Sequence, residues 1–391
     1  MYFDRPKQHR NSLIRVILLI ALIAAGVYIL NRSDETGKPV TPTPAPTRTA
    51  ASYVTDAEAA AKAGKFDDAI LAYKVASTLE PNNPAITPPL VRLMIYQSQG
   101  RKERLIEALR TAQRAARNSP DSAPVQAALA LALDWNEQIL EAINAGRTAT
   151  QLDPNYAEGF AYLAEAYADG KNWPRAQAAI ETALKLDPNS VDAHRVQGYI
   201  LEIQGRFGEA IGAYQRAIEL SPKSAFLYLL IARNYRALGN FDGAVIQYQR
   251  ALALEPDRGD TQDGQGYTYY LMYQGYGRQA DLERAIKALE QATKSNPDYA
   301  DAWGHLGMAH YSRRNYEDAI PALEKTIELG ASKIDYLDTL GLSYFYMAQC
   351  DKAMPLFQKS LTIDPNDLSA QGGINLCLGV TPTPLPPTRK P

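Results

Sequence analysis

A proline that returns every 34 residues constrains this chain more than any other feature. Pro120, Pro154, Pro188, Pro222 and Pro256 are evenly spaced at that interval. Twelve positions before each lies an alanine (Ala108, Ala142, Ala176, Ala210, Ala244), and five before lies another (Ala115, Ala149, Ala183, Ala217, Ala251). A fixed period of this size marks a solenoid of stacked helical hairpins, in which each unit buries its apolar face only against its neighbours.

With the proline at slot 32 and the alanines at slots 20 and 27, one register runs through nine units. Slot 20 is Ala69, Ala108, Ala142, Ala176, Ala210, Ala244, Ala285, Ala319 and Ala353 in turn. Ala331 is the one departure at slot 32 after the first proline, Pro81. The second unit carries about five extra residues between Pro84 and Gly100, and the seventh carries seven near Tyr273–Gln279. Small residues at slots 8 and 20 let the two helices of a hairpin approach closely; Gly198, Gly266, Gly307 and Gly341 hold slot 8 in four units. A large residue at slot 24 (Tyr73, Ile180, Tyr214, Tyr248, Leu289, Leu323, Phe357) is expected to pack between hairpins. The proline ends the second helix, because it has no N–H to donate and disfavours helix in the residue before it. The Asn or Asp that follows is expected to cap the next helix.

Two stretches carry a family pattern almost unbroken: WGHLGMAHYSRRNYEDAIPALEKTIELG (Trp303–Gly330) and YLDTLGLSYFYMAQCDKAMPLFQKSLTIDP (Tyr336–Pro365). On these residues, and on the register over 50–367, the chain resembles the tetratricopeptide repeat family. The resemblance implies an all-α, right-handed superhelical solenoid of about nine helix–turn–helix units, with residues 368–379 as a C-terminal capping helix. It also implies a protein partner held on the concave face, which the first helix of each hairpin lines. Slots 2, 5, 9, 12 and 13 then point into the groove. Slot 2 is acidic in five units (Glu158, Asp192, Asp260, Asp301, Asp335), and slot 5 adds Asp263 and Asp338. Part of that acidic pattern serves the helix dipole, since these residues stand in first turns. The candidate contact residues are Arg195, Tyr199, Arg233, Arg236, Tyr267, Tyr270, Met308, Tyr311, Leu342, Phe345 and Tyr346. An acidic rim over tyrosines suits a segment or helix with basic and apolar residues. The lysine/asparagine clamp of the chaperone-tail groove is not matched at these slots.

Chemistry is sparse. The four histidines show no metal-ligand spacing, and no G-x-S-x-G, P-loop or Rossmann fingerprint occurs. We expect no enzyme activity, no metal and no cofactor. The net charge of −2 argues against nucleic acid as the main partner.

The ends differ from the middle. Residues 1–12 form a basic tail, and 13–30 read LIRVILLIALIAAGVYIL, long enough for a short transmembrane signal-anchor helix. A cleaved signal peptide is the alternative. Basic residues before the run outnumber those closely after it, which favours a cytoplasmic N-terminus and extracytoplasmic repeats. Residues 31–49 and 380–391 are Thr/Pro-rich, a composition that populates polyproline II and acts as a spacer. Such spacers resemble those of exported and surface bacterial proteins. Cys350 and Cys377 either form a bridge at the C-terminal cap or remain two buried thiols. The functional expectation is a membrane-anchored scaffold organising an envelope complex. An assembly factor for a secretion, pilus or polysaccharide machinery and a self-assembling solenoid stay open beside it.

Overall fold

The computed structural model describes residues 17–24, 27, 48–81 and 83–379. From Ala50 onward they form nineteen α-helices and no strand. Eighteen pair into nine hairpins. The first five are α1 (Ala50–Ala63) with α2 (Phe66–Leu79), α3 (Thr87–Tyr96) with α4 (Lys102–Asn118), α5 (Ala123–Asp134) with α6 (Ile139–Leu152), α7 (Ala157–Asp169) with α8 (Trp173–Leu186), and α9 (Val191–Ile203) with α10 (Phe207–Leu220). The last four are α11 (Ala225–Ala237) with α12 (Phe241–Leu254), α13 (Gly259–Tyr276) with α14 (Gln279–Ser295), α15 (Ala300–Ser312) with α16 (Tyr316–Glu328), and α17 (Ile334–Tyr346) with α18 (Cys350–Ile363). A single helix, α19 (Leu368–Cys377), closes the stack.

The register explains the packing. All nine slot-20 alanines are fully buried. A Cβ added at Gly198 would stand 2.6 Å from the Tyr214 ring, and one at Gly341 would stand 2.6 Å from Phe357. Slot 8 is therefore small because slot 24 of the same hairpin lies directly on it. The slot-24 ring also faces the following unit: Tyr248 presses on Gly264, and Phe357 on Gly373 of α19. One large side chain thus joins three helices, and its loss would open a cavity at each of those contacts.

One expectation, the cap, fails, and the two longer units take specific forms. The residue after the proline does not cap; the cap position falls one residue later, at Tyr156, Ser190, Ser224 and Arg258. The preceding Asp folds back instead, as where the Asp153 carboxylate accepts from the Asn155 N–H at 2.9 Å. The seven extra residues of the seventh unit make no loop. They lengthen both helices, to 18 residues in α13 and 17 in α14, and the chain reverses at Gly277 with φ +68°. The extra residues of the second unit leave α3 short, at 10 residues.

Cys350 and Cys377 are joined by a disulfide, which fixes the end of α19 to the start of α18. The N-terminal segment is a separate unit, 1–49. Residues 17–24 are helical, with Ile17, Leu18, Leu19, Ile20, Leu22 and Ile23 exposed. No helix among the described residues is long and apolar enough to cross a membrane. The rest of the expected span at 13–30, the spacer at 31–47 and the tail at 380–391 lie outside the described residues.

Candidate functional site

The superhelix closes on itself. The turn between α3 and α4 in the second unit reaches the loops between units six, seven and eight. Gln97 donates to Glu255 at 3.0 Å and accepts from Arg258 at 2.9 Å. The Gln99 carbonyl accepts from the Asn296 amide at 3.0 Å, and Arg101 donates to the Ser295 carbonyl at 3.1 Å. Higher up, Arg92 pairs with Asp192 at 2.9 Å, and the Tyr96 hydroxyl donates to the same carboxylate at 2.5 Å. An aromatic cluster backs the closure: Tyr96 stacks on Phe226 at 5.0 Å, with Trp135 tilted against both. The Arg195 guanidinium lies over the Tyr96 ring at 5.0 Å.

This closure bounds a cavity of about 650 Å³. Gln99 and Gly100 form part of its wall, as do Arg233, Arg236 and Tyr267. Most charges around it are satisfied within the chain. Arg195 is 2% exposed and holds Glu165 through two hydrogen bonds, at 2.8 and 2.5 Å. Arg258 pairs with Glu255 and Asp260, both at 2.9 Å. Asp263 binds His305 at 2.7 Å, Asp301 binds Lys333 at 2.6 Å, and Asp169 accepts from the Tyr199 hydroxyl. Burial alone would raise the Asp192 pKa, but Arg92, Arg195 and the Tyr96 hydroxyl outweigh it and hold it below the usual carboxylate range. Beneath Glu165, burial and the neighbouring Glu165 and Asp169 push Asp134 up to about 9, and its Oδ1 has no hydrogen-bond partner.

Two cations are left over. Among the described residues Arg233 makes no hydrogen bond or ion pair. Arg236, one turn of α11 away, touches only the Tyr248 hydroxyl at 3.3 Å and the Tyr267 ring at 5.2 Å. Desolvation by the cavity walls would lower the Arg233 pKa, yet Glu202 and the tyrosines around it raise it, so the group stays charged. Glu202 itself accepts from Tyr214 and Asn234. Of the lining carboxylates, only Asp335 has a side chain with no such partner among the described residues.

The expected contact residues therefore separate into three groups. Tyr199, Arg233, Arg236, Tyr267 and Met308 line the cavity. Arg195 also faces it, but burial and the bidentate pair with Glu165 withdraw its charge from any partner. Tyr270 is 7% exposed and is held by Gln274 and Ser312, so it too is structural. Tyr311, Leu342, Phe345 and Tyr346 lie away from the cavity, toward the C-terminal end of the stack. The acidic rim is corrected as well. Asp192, Asp260, Asp263 and Asp301 are paired within the chain, and Asp338 is buried. Among the described residues only Glu158 and Asp335 of the slot-2 and slot-5 acids keep side chains without a hydrogen bond or ion pair to another residue.

Models of the tetratricopeptide repeat match residues 162–225 and 270–333, 201–263, and 334–367, together about half of the chain. The chain belongs to the tetratricopeptide repeat family. The crystal structure of an APC/C hetero-tetramer, Cut9–Hcn1, superposes with a TM-score of 0.64 at 18% identity, covering 80% of this chain and 59% of that one. This chain thus spans well under two thirds of that relative. A human IFIT1 dimer with m7Gppp-AAAA superposes with a TM-score of 0.54 at 16% identity, covering 85% and 81%. These likenesses show the fold alone. No curated protein matches the sequence.

Tetratricopeptide repeat proteins mediate protein–protein interactions, and the fold is typically a non-enzymatic scaffold. Among the described residues of this repeat protein, no cluster of three His, Cys, Asp or Glu side chains is placed to hold a metal. What the sequence reading missed is the role of the second repeat. A signal was present: counting back twelve from the slot-20 alanine gives Tyr96 in the second unit and Tyr273 in the seventh, the two units with extra residues, and glycine or alanine in the other seven. The slot-24 residue of the second unit is the small Ala112, and the Tyr96 side chain reaches Phe226 and Asp192.

Proposed function

We propose that this repeat protein is a recognition scaffold whose cavity takes a partner segment bearing an acidic side chain beside an apolar one. The unpaired Arg233, with Arg236 one turn away and Tyr267 below it, carries this reading. A carboxylate placed between two guanidiniums gains charge-assisted hydrogen bonds, from Arg233, which makes no ion pair, and from Arg236, whose partners are the neutral Tyr248 hydroxyl and the Tyr267 ring. The tyrosine walls supply apolar area with polar edges, as interface anchors do. This reverses the sign of the partner expected from the slot-2 acids.

The test is selection of peptides from a random displayed library by the full chain. Wild type is expected to enrich Asp- or Glu-bearing peptides, and Arg233→Glu with Arg236→Glu to lose them. Enrichment of the same peptides by both proteins would sink the reading.

We also propose that residues 13–30 anchor the chain, with the repeats extracytoplasmic, where it organises an envelope complex. The apolar run, the basic residues ahead of it and the Thr/Pro spacer at 31–49 support this. Protease added to intact cells should remove the repeats; repeats that survive until lysis contradict it.

A further inference from the structure

Four aromatic side chains form a shelf near the C-terminal end of the stack, none of them lining the cavity. Tyr316 and Tyr346 stack with centroids 4.7 Å apart and planes 10° from parallel. Tyr311 tilts against both, at 5.7 and 6.2 Å. Phe345 meets Tyr346 edge-on at 5.4 Å. Tyr346 is 53% exposed, an unusual position for a large ring in a protein with so many buried tyrosines. Tyr311 and Tyr346 come from the inner helices α15 and α17, while Tyr316 opens the outer helix α16. The shelf therefore lies at the turn edge of the last two hairpins.

That edge is also where the chain leaves the fold. The disulfide brings the Cα atoms of Cys350 and Cys377 to 5.5 Å. Cys350 is four positions after Tyr346, a span of at most about 14 Å. Two residues after Cys377, Gly379 turns the backbone with φ +70°. The next twelve residues read VTPTPLPPTRKP. In polyproline II geometry they reach about 37 Å, more than enough to cross the shelf.

The chemistry of the two matches. A polyproline II segment makes no internal hydrogen bonds, so its carbonyls need donors, and its prolines offer none themselves. A row of tyrosines offers flat apolar faces for the proline rings and hydroxyl donors for the carbonyls, which is how proline-rich segments are recognised generally. Pro384 and Pro387 are three residues apart, one turn of that helix, and so fall on one edge. Tethering beside the shelf places the segment at an effective concentration on the order of millimolar, so weak stacking is enough to hold it.

We propose that the Thr/Pro-rich tail, residues 380–391, docks in cis on the shelf of Tyr311, Tyr316, Phe345 and Tyr346, and that the Cys350–Cys377 bridge sets its starting point. This site stands apart from the cavity and does not depend on the function proposed for it.

The test is photo-crosslinking of the full chain with p-benzoylphenylalanine at position 345, read by mass spectrometry. Adducts to residues 380–391 of the same chain are expected. They should fall at least fivefold with Tyr316→Ala and Tyr346→Ala, and in proportion to an added synthetic peptide of sequence VTPTPLPPTRKP. A peptide with its prolines changed to alanine should not compete. Adducts confined to a second copy, or to the Thr/Pro segment at 36–49, would overturn the proposal, as would a folded protein with no adduct to the tail. Circular dichroism of each variant separates loss of docking from loss of fold.

Discussion

Arg258 donates a 2.9 Å hydrogen bond to the backbone carbonyl of Tyr96, 162 positions earlier in the chain. The guanidinium is 1% exposed, and it holds Gln97, Glu255 and Asp260 at the same time. Arg258→Ala leaves two carboxylates without their partner in a crowded place and should cost about 3–5 kcal/mol in urea unfolding. Gln97→Ala removes two of the closing hydrogen bonds, to Glu255 and from Arg258, and should cost about 1–2 kcal/mol. If Gln97→Ala is silent in unfolding and in hydrogen exchange at 255–258, the Gln97 contacts do not contribute to stability.

Gly198 is small because the Tyr214 ring lies over it. Gly198→Ala should therefore destabilise by about 1–3 kcal/mol through overpacking, although alanine is the better helix former. Gly212, on the outer helix of the same hairpin, has nothing near its missing Cβ. Gly212→Ala should stabilise by about 0.5–1 kcal/mol. Thermal melts of the two variants check both signs.

Asp134 sets a pH dependence. Burial raises its folded pKa to about 9, above the ordinary carboxylate value. A carboxyl with a raised folded pKa contributes stability that is complete below the unfolded pKa and is lost as pH rises through the folded one. Its contribution should fall between about pH 4 and about pH 9. Asp338, raised by burial to about 6, adds to the lower part of that window. Asp192 acts in the opposite sense: its pKa is depressed, so its contribution is present above the unfolded value and is lost in acid. Asp134→Asn should flatten the decline between pH 6 and 9 in urea titrations. An unchanged slope would show that Asp134 is ionised in the fold.

The disulfide closes a loop with a sequence separation of 27. Reduction, or Cys350→Ser with Cys377→Ser, should cost about 3 kcal/mol in unfolding. The loss should appear first as faster amide exchange in α19. A melt that does not respond to reductant contradicts this.

The hairpin architecture was legible because each repeat answers to its neighbours. Gly198 and Gly341 at slot 8 state in sequence that a large side chain touches them 16 positions on. The closure was not legible in the same way. Tyr96 and Arg258 meet only because small rotations between successive hairpins sum over several repeats, and no local pattern encodes that sum. The pairing of several groove charges was not legible for the same reason. Asp192 read as a free rim acid, but its partner Arg92 lies 100 positions away. Arg195 read as a free cation, but Glu165 lies 30 positions back on the facing helix. The unpaired state of Arg233 emerges only after those pairings are known. The extra residues of the seventh repeat show the converse: their number was plain, yet two helices absorbed them rather than a loop.

The claim that Arg233 and Arg236 read an acidic side chain is tested most directly by a double-mutant cycle. The tightest peptide selected by the full chain is compared with the same peptide carrying the amide in place of its acid, on wild type and on Arg233→Ala. Titration calorimetry is expected to show the amide weakening binding to wild type at least tenfold, about 1.4 kcal/mol, with little difference between the two peptides on the variant. Equal affinities of acid and amide for wild type would contradict the account.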